Sequence, residues 1–367
     1  MRRSVATDYM IVDPQNPQPP LINQASRIIQ AGGLVAFPTE TVYGLGADAL
    51  NPQAIQAIFM AKGRPMDNPL IVHIADWSSL ENLTNLNIEA ESKVRLLGER
   101  FWPGPLTLVL PRHPQVPLEV TAGLETVAVR WPNHPVAEAL IHAAGVPIAA
   151  PSANCSGRPS PTDAGHVMED LAGKIELILD GGMVGVGLES TVLDLTQKIP
   201  TILRPGGVTL EQLREVLPEI RVLDVTGMAN NNSQATSSLV HPSPGVKYTH
   251  YAPAMPLMLV EGEPQAIVSR ILKLTTELQT QGTRVGVLTS LENINSYRDA
   301  ANPPQYLQVM GSRQDLDDIA LYLFKSLREC DLADVDVMLV EGFSEEGLGL
   351  AIMDRLRRAC GGQIIRV

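Results

Sequence analysis

Cysteine is scarce in this sequence of 367 residues, which contains only Cys155, Cys330 and Cys360. They lie far apart and form no CxxC pair, which argues against a zinc ribbon or a redox pair and is typical of a reducing compartment. The first residues lack the apolar region of a secretory signal, and no run approaches the roughly 20 apolar residues of a membrane helix. The sequence therefore predicts a cytoplasmic protein with no membrane contact.

Several motifs of nucleotide and metal sites are also missing. There is no GxxxxGK[ST] loop and no HExxH, and GVGLES at 185–190 imitates GxGxxG but precedes a predicted strand instead of a helix. Basic residues are in the minority, because the net charge is -12 and residues 1–254 carry 17 basic against 24 acidic side chains. A P-loop, a dinucleotide site and a broad nucleic-acid-binding surface are therefore not indicated.

The chain is long enough for two domains, and 44% of its residues are hydrophobic. From residue 22 to about 224, short apolar strands alternate with amphipathic helices, with Asn51 and Thr209 as predicted N-caps. A polar, turn-rich stretch follows, and a second strand–helix alternation starts near residue 255. The pattern predicts an α/β domain over 1–224, a linker over 225–254 and a Rossmann-like α/β domain over 255–367.

The stretch AFPTETVYGLGADA, residues 36–49, begins like a buried strand and then becomes polar and glycine-rich ahead of a predicted helix. Similar polar clusters adjoin other predicted strands. Ligand crevices of open α/β sheets form outside strand ends, so the clusters together predict one shared site. They are PTETVYG (38–44), KGRPMDNPLIVH (62–73), TVAVR (126–130), PSANCSGRPSP (151–161), GLESTVL (187–193) and LRPGG (203–207).

The residue types in these clusters indicate a polyanion site. Lys62, Arg64, Arg130 and Arg204 are cations suited to phosphates and carboxylates, and hydroxyls accompany them. Asn68, Asn154 and His73 suit the orientation of an amino acid or a carbonyl group, and no carboxylate pair stands out for acid–base work. This set favours phosphoryl or nucleotidyl transfer by alignment and charge neutralisation.

Taken singly, each of these residues also has a structural explanation. Lys62 and Arg64 suit a solvated helix C-terminus, and Thr39 and Thr41 suit ordinary strand positions. Ser152 and Asn154 are turn formers, and His73 suits a hydrogen-bonded core position. Arg130, Ser190 and Arg204 suit surface positions, and Cys155 has no argument for a reactive thiolate.

In combination the motifs resemble the YrdC-like family, in particular its two-domain threonylcarbamoyl-AMP synthase branch. The resemblance rests on PTETVYGLG, on the K-x-R…S-x-N signature formed by Lys62, Arg64, Ser152 and Asn154, and on DNPLIVHI, WPGPLT, AVRWP, ESTVLDL and LRPG. SPGVKYTHYAP is similar to the linker of these proteins, which folds over the active site. The resemblance implies a twisted mixed sheet with helices, followed by a small Rossmann-like domain.

The resemblance also implies a reaction. L-Threonine, bicarbonate and ATP would give L-threonylcarbamoyl-AMP and pyrophosphate, with Mg²⁺ assisting and no metal ligand assigned to the protein. A downstream threonylcarbamoyl transferase complex would then modify tRNA, which adds a weak tRNA contact to the expected partners.

Residue roles follow from the same resemblance. The implied catalytic set is Lys62, Arg64, Ser152 and Asn154. The implied threonine-binding set is Thr41, His73, Arg130 and Ser190. The implied ATP-binding set is Arg64, Asn68, Thr126, Ser152, Ser160, Arg204, Tyr248 and Tyr251.

Two other functions are compatible with parts of the sequence. An RNA-binding translation factor without catalysis would use the same cations, but the acidic balance and the lack of aromatic stacking signatures disfavour it. A carbamoyl-transfer maturation enzyme shares the YrdC-like segment but carries zinc-finger cysteines, which this chain lacks.

Overall fold

The structure is a computed structural model that describes residues 5–223 and 251–367. The described residues form two compact units. The first comprises 5–156, 161–185 and 189–223, and the second comprises 157–160, 186–188 and 251–367. Most of the predicted linker lies outside the described residues, so the boundaries at 224 and 254 stay predictions.

The first unit alternates strands and helices along the chain. Its strands are β1 (Asp8–Ile11), β2 (Val35–Phe37), β3 (Gly44–Asp48), β4 (Ile71–His73), β5 (Leu106–Pro111), β6 (Thr126–Arg130), β7 (Ile148–Ala149), β8 (Leu177–Asp180), β9 (Thr191–Asp194), β10 (Thr201–Arg204) and β11 (Arg221–Val222). Its helices are α1 (Pro19–Gln30), α2 (Pro52–Lys62), α3 (Ser78–Leu83), α4 (Ile88–Phe101), α5 (Leu118–Thr121), α6 (Pro135–Ala144), α7 (Ala164–Leu171) and α8 (Leu210–Val216).

Two predicted helix starts are confirmed by side-chain hydrogen bonds. The Asn51 side chain accepts from the amides of Gln53 and Ala54 at the start of α2. Thr209 and Gln212 form a reciprocal capping box at the start of α8. Both caps satisfy amide groups that have no acceptor inside the helix, which is why these residue types mark helix starts.

Within residues 5–223 the strands form one mixed sheet in the order β1-β8-β2-β3-β7-β4-β6-β5-β9-β10-β11. One face packs against α2, α4 and α7 through residues such as Leu45, Val72 and Val129. The opposite face is covered over β2, β7 and β8 by α1 and α6. Further along, this second face carries Ile71, Ala128, Val109 and Val192, and the functional residues described below lie among them.

The segment that follows β2 differs from the sequence-based expectation. The sequence predicted an irregular, glycine-rich segment ahead of a helix. Gly44–Asp48 instead forms strand β3, which pairs antiparallel with β2. A Cβ atom at Gly46 would lie 2.7 Å from the Phe37 ring and 2.9 Å from the Ile148 side chain. Gly46 is therefore required by packing inside the sheet, and the strand was missed because glycine has a low strand propensity.

The second unit has a parallel sheet with helices in its crossovers. Its elements are β12 (Leu257–Glu261), α9 (Pro264–Thr280), β13 (Val285–Ser290), α10 (Ile294–Arg298), β14 (Tyr306–Gly311), α11 (Leu316–Glu329), β15 (Val337–Glu341), α12 (Gly349–Ala359) and β16 (Ile364–Arg366). The strand order is β14-β13-β15-β12-β16, and each neighbouring pair in this order is parallel. This architecture confirms the predicted Rossmann-like α/β class for the unit.

A buried carboxylate links several elements at one end of this parallel sheet. Glu341, at the end of β15, is fully buried. It accepts hydrogen bonds from the hydroxyls of Thr289, Ser290 and Tyr297 and forms an ion pair of 2.7 Å with Arg313. Its charge is thus compensated by donors from β13, from α10 and from the loop after β14. No helix within the described parts of either unit is long and apolar enough to cross a membrane.

Candidate functional site

Lys62 organises the loop that carries Ser152 and Asn154. It is the last residue of α2, and Gly63 follows it in the left-handed conformation that ends the helix. Its side chain is buried, and the ammonium group donates to the backbone oxygens of Ser152 and Asn154. The Ser152 hydroxyl donates to Oδ1 of Asn154 at 2.6 Å. Lys62, Ser152 and Asn154 of the signature therefore form a single hydrogen-bonded cluster, and Lys62 is not at a solvated helix end.

Arg64 and Asn68 close the loop that follows α2. The Arg64 guanidinium donates to the backbone oxygen of Asn68 at 3.3 Å and to that of Pro69 at 3.1 Å. Asn68 is buried, and Arg64 is partly exposed. This loop leads directly into β4, so Arg64 lies close in the chain to both Lys62 and His73.

Strand register places several predicted residues on one face of the sheet. His73 pairs with Arg130, and Arg130 pairs with Thr107 on the next strand. Residues paired in this way project from the same face. Thr126 lies on that face too, two pleats before Arg130 on β6. His73, Thr107 and Arg130 are all buried.

Arg130 faces a carboxylate. Its Nη2 atom lies 2.7 Å from Oε2 of Glu40, with side-chain exposures of 5% and 12%, although the pair lacks the alignment of a hydrogen bond. Its Nε atom donates to the backbone oxygen of Gly104 at 3.4 Å. Arg130 is therefore held inside the unit and is not a surface arginine.

Ser190 and Arg204 continue the same face beyond Thr107. The Oγ atoms of Thr107 and Ser190 are 2.7 Å apart. Arg204 donates to the backbone oxygen of Ser190 at 2.9 Å and to its Oγ atom at 3.3 Å. The structure thus places Arg204, assigned by resemblance to the nucleotide, beside Ser190, which was assigned to threonine.

The loop between β2 and β3 crosses this face. Phe37 pairs with Gly44 where the loop begins and ends, yet Glu40 inside the loop reaches Arg130. Thr39 folds the loop by accepting from the amides of Thr41 and Val42 and donating to the Val42 oxygen. Thr41 is fully buried, and its Oγ1 atom lies 2.9 Å from that of Thr39.

The candidate residues therefore form two groups, because His73, Arg130, Ser190 and Arg204 lie at one row of strand ends and Ser152 lies beyond the opposite end of β7. Gly44 bridges Ser152, whereas His73 pairs with Ile148, which lies four residues earlier in the chain. At about 3.3 Å per strand residue, the Ser152 end and the His73 end are separated by about 13 Å. We call them the Lys62 end and the Arg130 end.

Three predicted residues are not among the described residues of the first unit. Ser160 and Tyr251 belong to the second compact unit. There the Tyr251 ring stacks on Phe324 with centroids 5.1 Å apart, and Ser160 is fully buried. Tyr248 lies outside the described residues. The other candidate residues all belong to the first unit: Thr41, Lys62, Arg64, Asn68, His73, Thr126, Arg130, Ser152, Asn154, Ser190 and Arg204.

Burial dominates the electrostatics of the Arg130 end. Desolvation, and then the positive charge of Arg130, lower the pKa of His73 to about 3. His73 is therefore neutral at physiological pH and adds no charge beside Arg130. Among the described residues, no group of three His, Cys, Asp or Glu side chains is arranged to hold a metal ion.

Two residues of this face were not assigned from the sequence. Glu40 lies within PTETVYG and Thr107 within WPGPLT, and both segments were recognised as motifs. Glu40 is the only acidic residue of its motif, which was the available signal. Their contacts with Arg130 and Ser190 depend on strand pairing that residue spacing does not reveal.

Comparison with known proteins agrees with this organisation. The sequence profile described as "Telomere recombination", of the Sua5, YciO and YrdC proteins, matches residues 27–206. The profile described as "Threonylcarbamoyl-AMP synthase, C-terminal domain" matches residues 208–361. The fold and the site thus define an α/β protein with a YrdC-like domain followed by a second α/β domain.

Relatives match over nearly the whole chain. The threonylcarbamoyl-AMP synthase of Bacillus subtilis is 49% identical over 357 residues, which are 97% of each protein. That of Schizosaccharomyces pombe is 42% identical and covers 95% of this chain and 90% of its own. The crystal structure of Pyrococcus abyssi Sua5 complexed with L-threonine superposes with a TM-score of 0.88 at 45% identity, covering 98% of this chain and 99% of its own. The chain belongs to the threonylcarbamoyl-AMP synthase family.

Proposed function

We propose that this chain is a nucleotidyltransferase that makes L-threonylcarbamoyl-AMP from L-threonine, bicarbonate and ATP and releases pyrophosphate. The observations that carry the proposal are a hydrogen-bonded lysine–serine–asparagine cluster after β7 and, on the sheet, a buried arginine paired with a neutral histidine. The names of relatives similar over nearly the full chain support the same reaction.

The two ends suit two substrates. The Lys62 end, with Arg64, Asn68 and Ser152, offers cations and hydrogen-bond donors suited to a triphosphate. The Arg130 end, with Thr41, His73 and Ser190, offers a guanidinium for a carboxylate and hydroxyls for a small polar side chain. We assign ATP to the first end and L-threonine to the second because of these donor sets, and a solved relative from P. abyssi in complex with L-threonine supports L-threonine as a ligand.

The reaction then depends on the alignment of the bound substrates. The ammonium group of threonine first loses a proton to solvent, and bicarbonate loses hydroxide to give CO₂. The neutral amine then attacks the carbon of CO₂ as one C=O π bond opens, and the proton that the nitrogen loses combines with the hydroxide as water, which leaves a carbamate. A carbamate oxygen attacks the α-phosphorus of ATP, and the bond to the β-phosphate oxygen breaks, so pyrophosphate leaves. Lys62 and Arg64 would balance the charge that develops on the phosphates. Arg130 would keep the amino acid oriented for attack.

Mg²⁺ fits this site only through the substrate. The described residues offer no cluster of metal ligands, and Mg²⁺ in nucleotide sites is commonly bound by phosphate oxygens and water. When bound, it would neutralise phosphate charge. The product would pass to a threonylcarbamoyl transferase complex that modifies tRNA, and we place the reaction in the cytoplasm.

The test is pyrophosphate release by the full chain with ATP, L-threonine and bicarbonate each omitted in turn. We expect release only when all three are present, with L-threonylcarbamoyl-AMP detected by mass spectrometry. Release that does not depend on L-threonine would contradict the proposal. RNA binding that weakens steeply with salt, without pyrophosphate release, would instead support an RNA-binding factor.

A further inference from the structure

Four buried side-chain atoms at the Arg130 end, from three residues, lack hydrogen-bond partners among the described residues. They are both carboxylate oxygens of Glu40, Nη2 of Arg130 and Nδ1 of His73. Glu40 and Arg130 are close enough to attract each other, but their 2.7 Å contact is not aligned as a hydrogen bond. Folded proteins rarely leave such atoms unsatisfied, because each lost hydrogen bond is costly away from water. Their position therefore indicates a ligand that supplies both donors and acceptors.

The Glu40 carboxylate is held in place by its loop. The backbone oxygen of Glu40 accepts from the amide of Gly185 at 3.1 Å. On either side, the Thr39 hydroxyl fixes the turn and Thr41 is fully buried. Arg130 is fixed in turn by β6 and by its contact with the Gly104 oxygen. The two opposite charges are thus held in place by the fold and do not belong to flexible surface side chains.

An adjacent cation and anion match the charges of an α-amino acid. Its carboxylate and ammonium groups are attached to the same carbon, so they present a negative and a positive group side by side. A guanidinium binds a carboxylate through its planar fork, and a carboxylate accepts a strong, charge-assisted hydrogen bond from an ammonium group. The Glu40–Arg130 pair would be exchanged for two such contacts when the amino acid enters.

We propose that Glu40 binds the α-ammonium group of the amino-acid substrate while Arg130 binds its carboxylate. This inference rests on the proposed function and adds a specificity-determining residue to it. Glu40 selects amino acids over hydroxy acids of the same shape, because a neutral hydroxyl gives up much of the charge-assisted attraction. In the absence of substrate, Glu40 serves as the counter-ion that keeps the buried Arg130 compensated.

The experiment measures binding of two ligands by calorimetry with the full chain. One is L-threonine, and the other is the 2,3-dihydroxybutanoate of matching configuration, in which a hydroxyl replaces the ammonium group. For Glu40→Gln we expect binding of L-threonine to weaken about tenfold to a hundredfold, the range of a lost charged hydrogen bond. Binding of the hydroxy acid should change by less than about threefold. Glu91→Gln, at an exposed helix position, is the matched control.

A second variant covers the case in which Glu40→Gln folds poorly. Glu40→Asp keeps the charge opposite Arg130 but withdraws the carboxylate by one methylene group. Its loss of affinity should again fall on L-threonine and spare the hydroxy acid. Equal losses for both ligands in either folded variant, or an unchanged affinity for L-threonine, would overturn the role of Glu40.

These measurements need neither ATP nor bicarbonate, so they are independent of the reaction. A wild-type chain that binds L-threonine but releases no pyrophosphate would contradict the proposed function and leave the Glu40 result standing. If both hold, steady-state kinetics of Glu40→Gln should show a raised KM for L-threonine and an unchanged KM for ATP. A purely structural role for Glu40 would not separate the two substrates in this way.

Discussion

Nζ of Lys62 lies 2.5 Å from the backbone oxygen of Asn154, although the two residues are 92 positions apart in the chain. The same ammonium group also donates to the backbone oxygen of Ser152. The last residue of α2 thereby fixes the loop that leaves β7. The geometry of the signature residues is set by this contact before any substrate is present.

Replacing Lys62 with methionine should both destabilise the first unit and remove activity. Two backbone oxygens lose a charged donor inside the protein, which should lower the free energy of unfolding by about 3 kcal/mol. All three tryptophans, Trp77, Trp102 and Trp131, lie in the first unit, so urea unfolding followed by tryptophan fluorescence reports on it. Lys93→Met, on the exposed side of α4, is the control and should change stability by less than about 0.5 kcal/mol. A Lys62→Met variant as stable as this control would contradict the structural role.

Arg64→Ala should abolish turnover with little effect on the fold. The side chain is partly exposed, and its hydrogen bonds to Asn68 and Pro69 go to backbone oxygens of its own loop, so the loss of stability should be about 1 kcal/mol or less. Loss of a phosphate-facing cation should reduce kcat/KM for ATP by at least about a hundredfold. Pyrophosphate release measures this, and Arg95→Ala on α4 is the control. Full turnover by Arg64→Ala would count against the phosphate assignment.

Thr107→Val tests whether the hydroxyl pair at β5 and β9 positions Ser190. The substitution keeps the shape of the side chain and removes the 2.7 Å contact between the two Oγ atoms. We expect KM for L-threonine to rise about fivefold to tenfold, as for a lost neutral hydrogen bond, while KM for ATP stays constant. The measurement is initial rates with each substrate varied in turn. A parallel rise in both KM values would point to a general disturbance of the sheet.

His73 should make the stability of the first unit depend on pH. Desolvation and the charge of Arg130 hold its pKa at about 3, below the ordinary value of 6.5. Between these values the unfolded chain binds more protons at this position, so the free energy of unfolding falls as the pH is lowered from 6.5 towards 3. The stability that neutral His73 contributes is fully present above pH 6.5. Below that pH the free energy of unfolding changes by at most about 1.4 kcal/mol per pH unit through this residue.

The measurement for His73 is urea unfolding of the wild type and of His73→Gln at pH 7 and pH 5. The wild type should lose stability relative to the variant at the lower pH, so the difference between the two should shrink. A difference that stays constant between the two pH values would show that His73 titrates normally in the folded chain.

Glu341→Gln should destabilise the sheet of the second unit. The variant leaves Arg313 without its buried counter-ion and weakens the bonds from Thr289, Ser290 and Tyr297. We expect a loss of about 3 kcal/mol, typical of breaking a buried pair. Faster amide hydrogen exchange in β13 and β15 would report it, with Glu346→Gln, in the exposed loop after β15, as the control. Unchanged exchange in both strands would contradict the prediction.

Local signals in the sequence predicted local structure well. The caps at Asn51 and Thr209 and the strands of the second unit were readable because propensity and periodicity act over a few residues. Strand β3 was not readable from the sequence, since Gly46 is required by the Phe37 and Ile148 side chains that pack over it. Tertiary packing overrides propensity at such positions.

The sequence also predicted which residues belong to the candidate site better than it predicted how they are arranged. Polar clusters beside strands marked Lys62, His73, Arg130, Ser152 and Ser190, which all belong to the first unit. The predicted row of strand ends holds for His73, Arg130 and Ser190, whereas antiparallel β7 places Ser152 at a different level. Glu40 and Thr107 were left without roles because their partners lie across the sheet.

The candidate site is built from segments spread over most of the first unit, from the loop before β3 to the end of β10. A nascent chain that has emerged only as far as β7 already contains Lys62 and His73 but has no Ser190 or Arg204 beside Thr107. Such long-range strand pairing is completed late in folding. The contact between Thr107 and Ser190 therefore forms only after the chain has been synthesised beyond the start of β9.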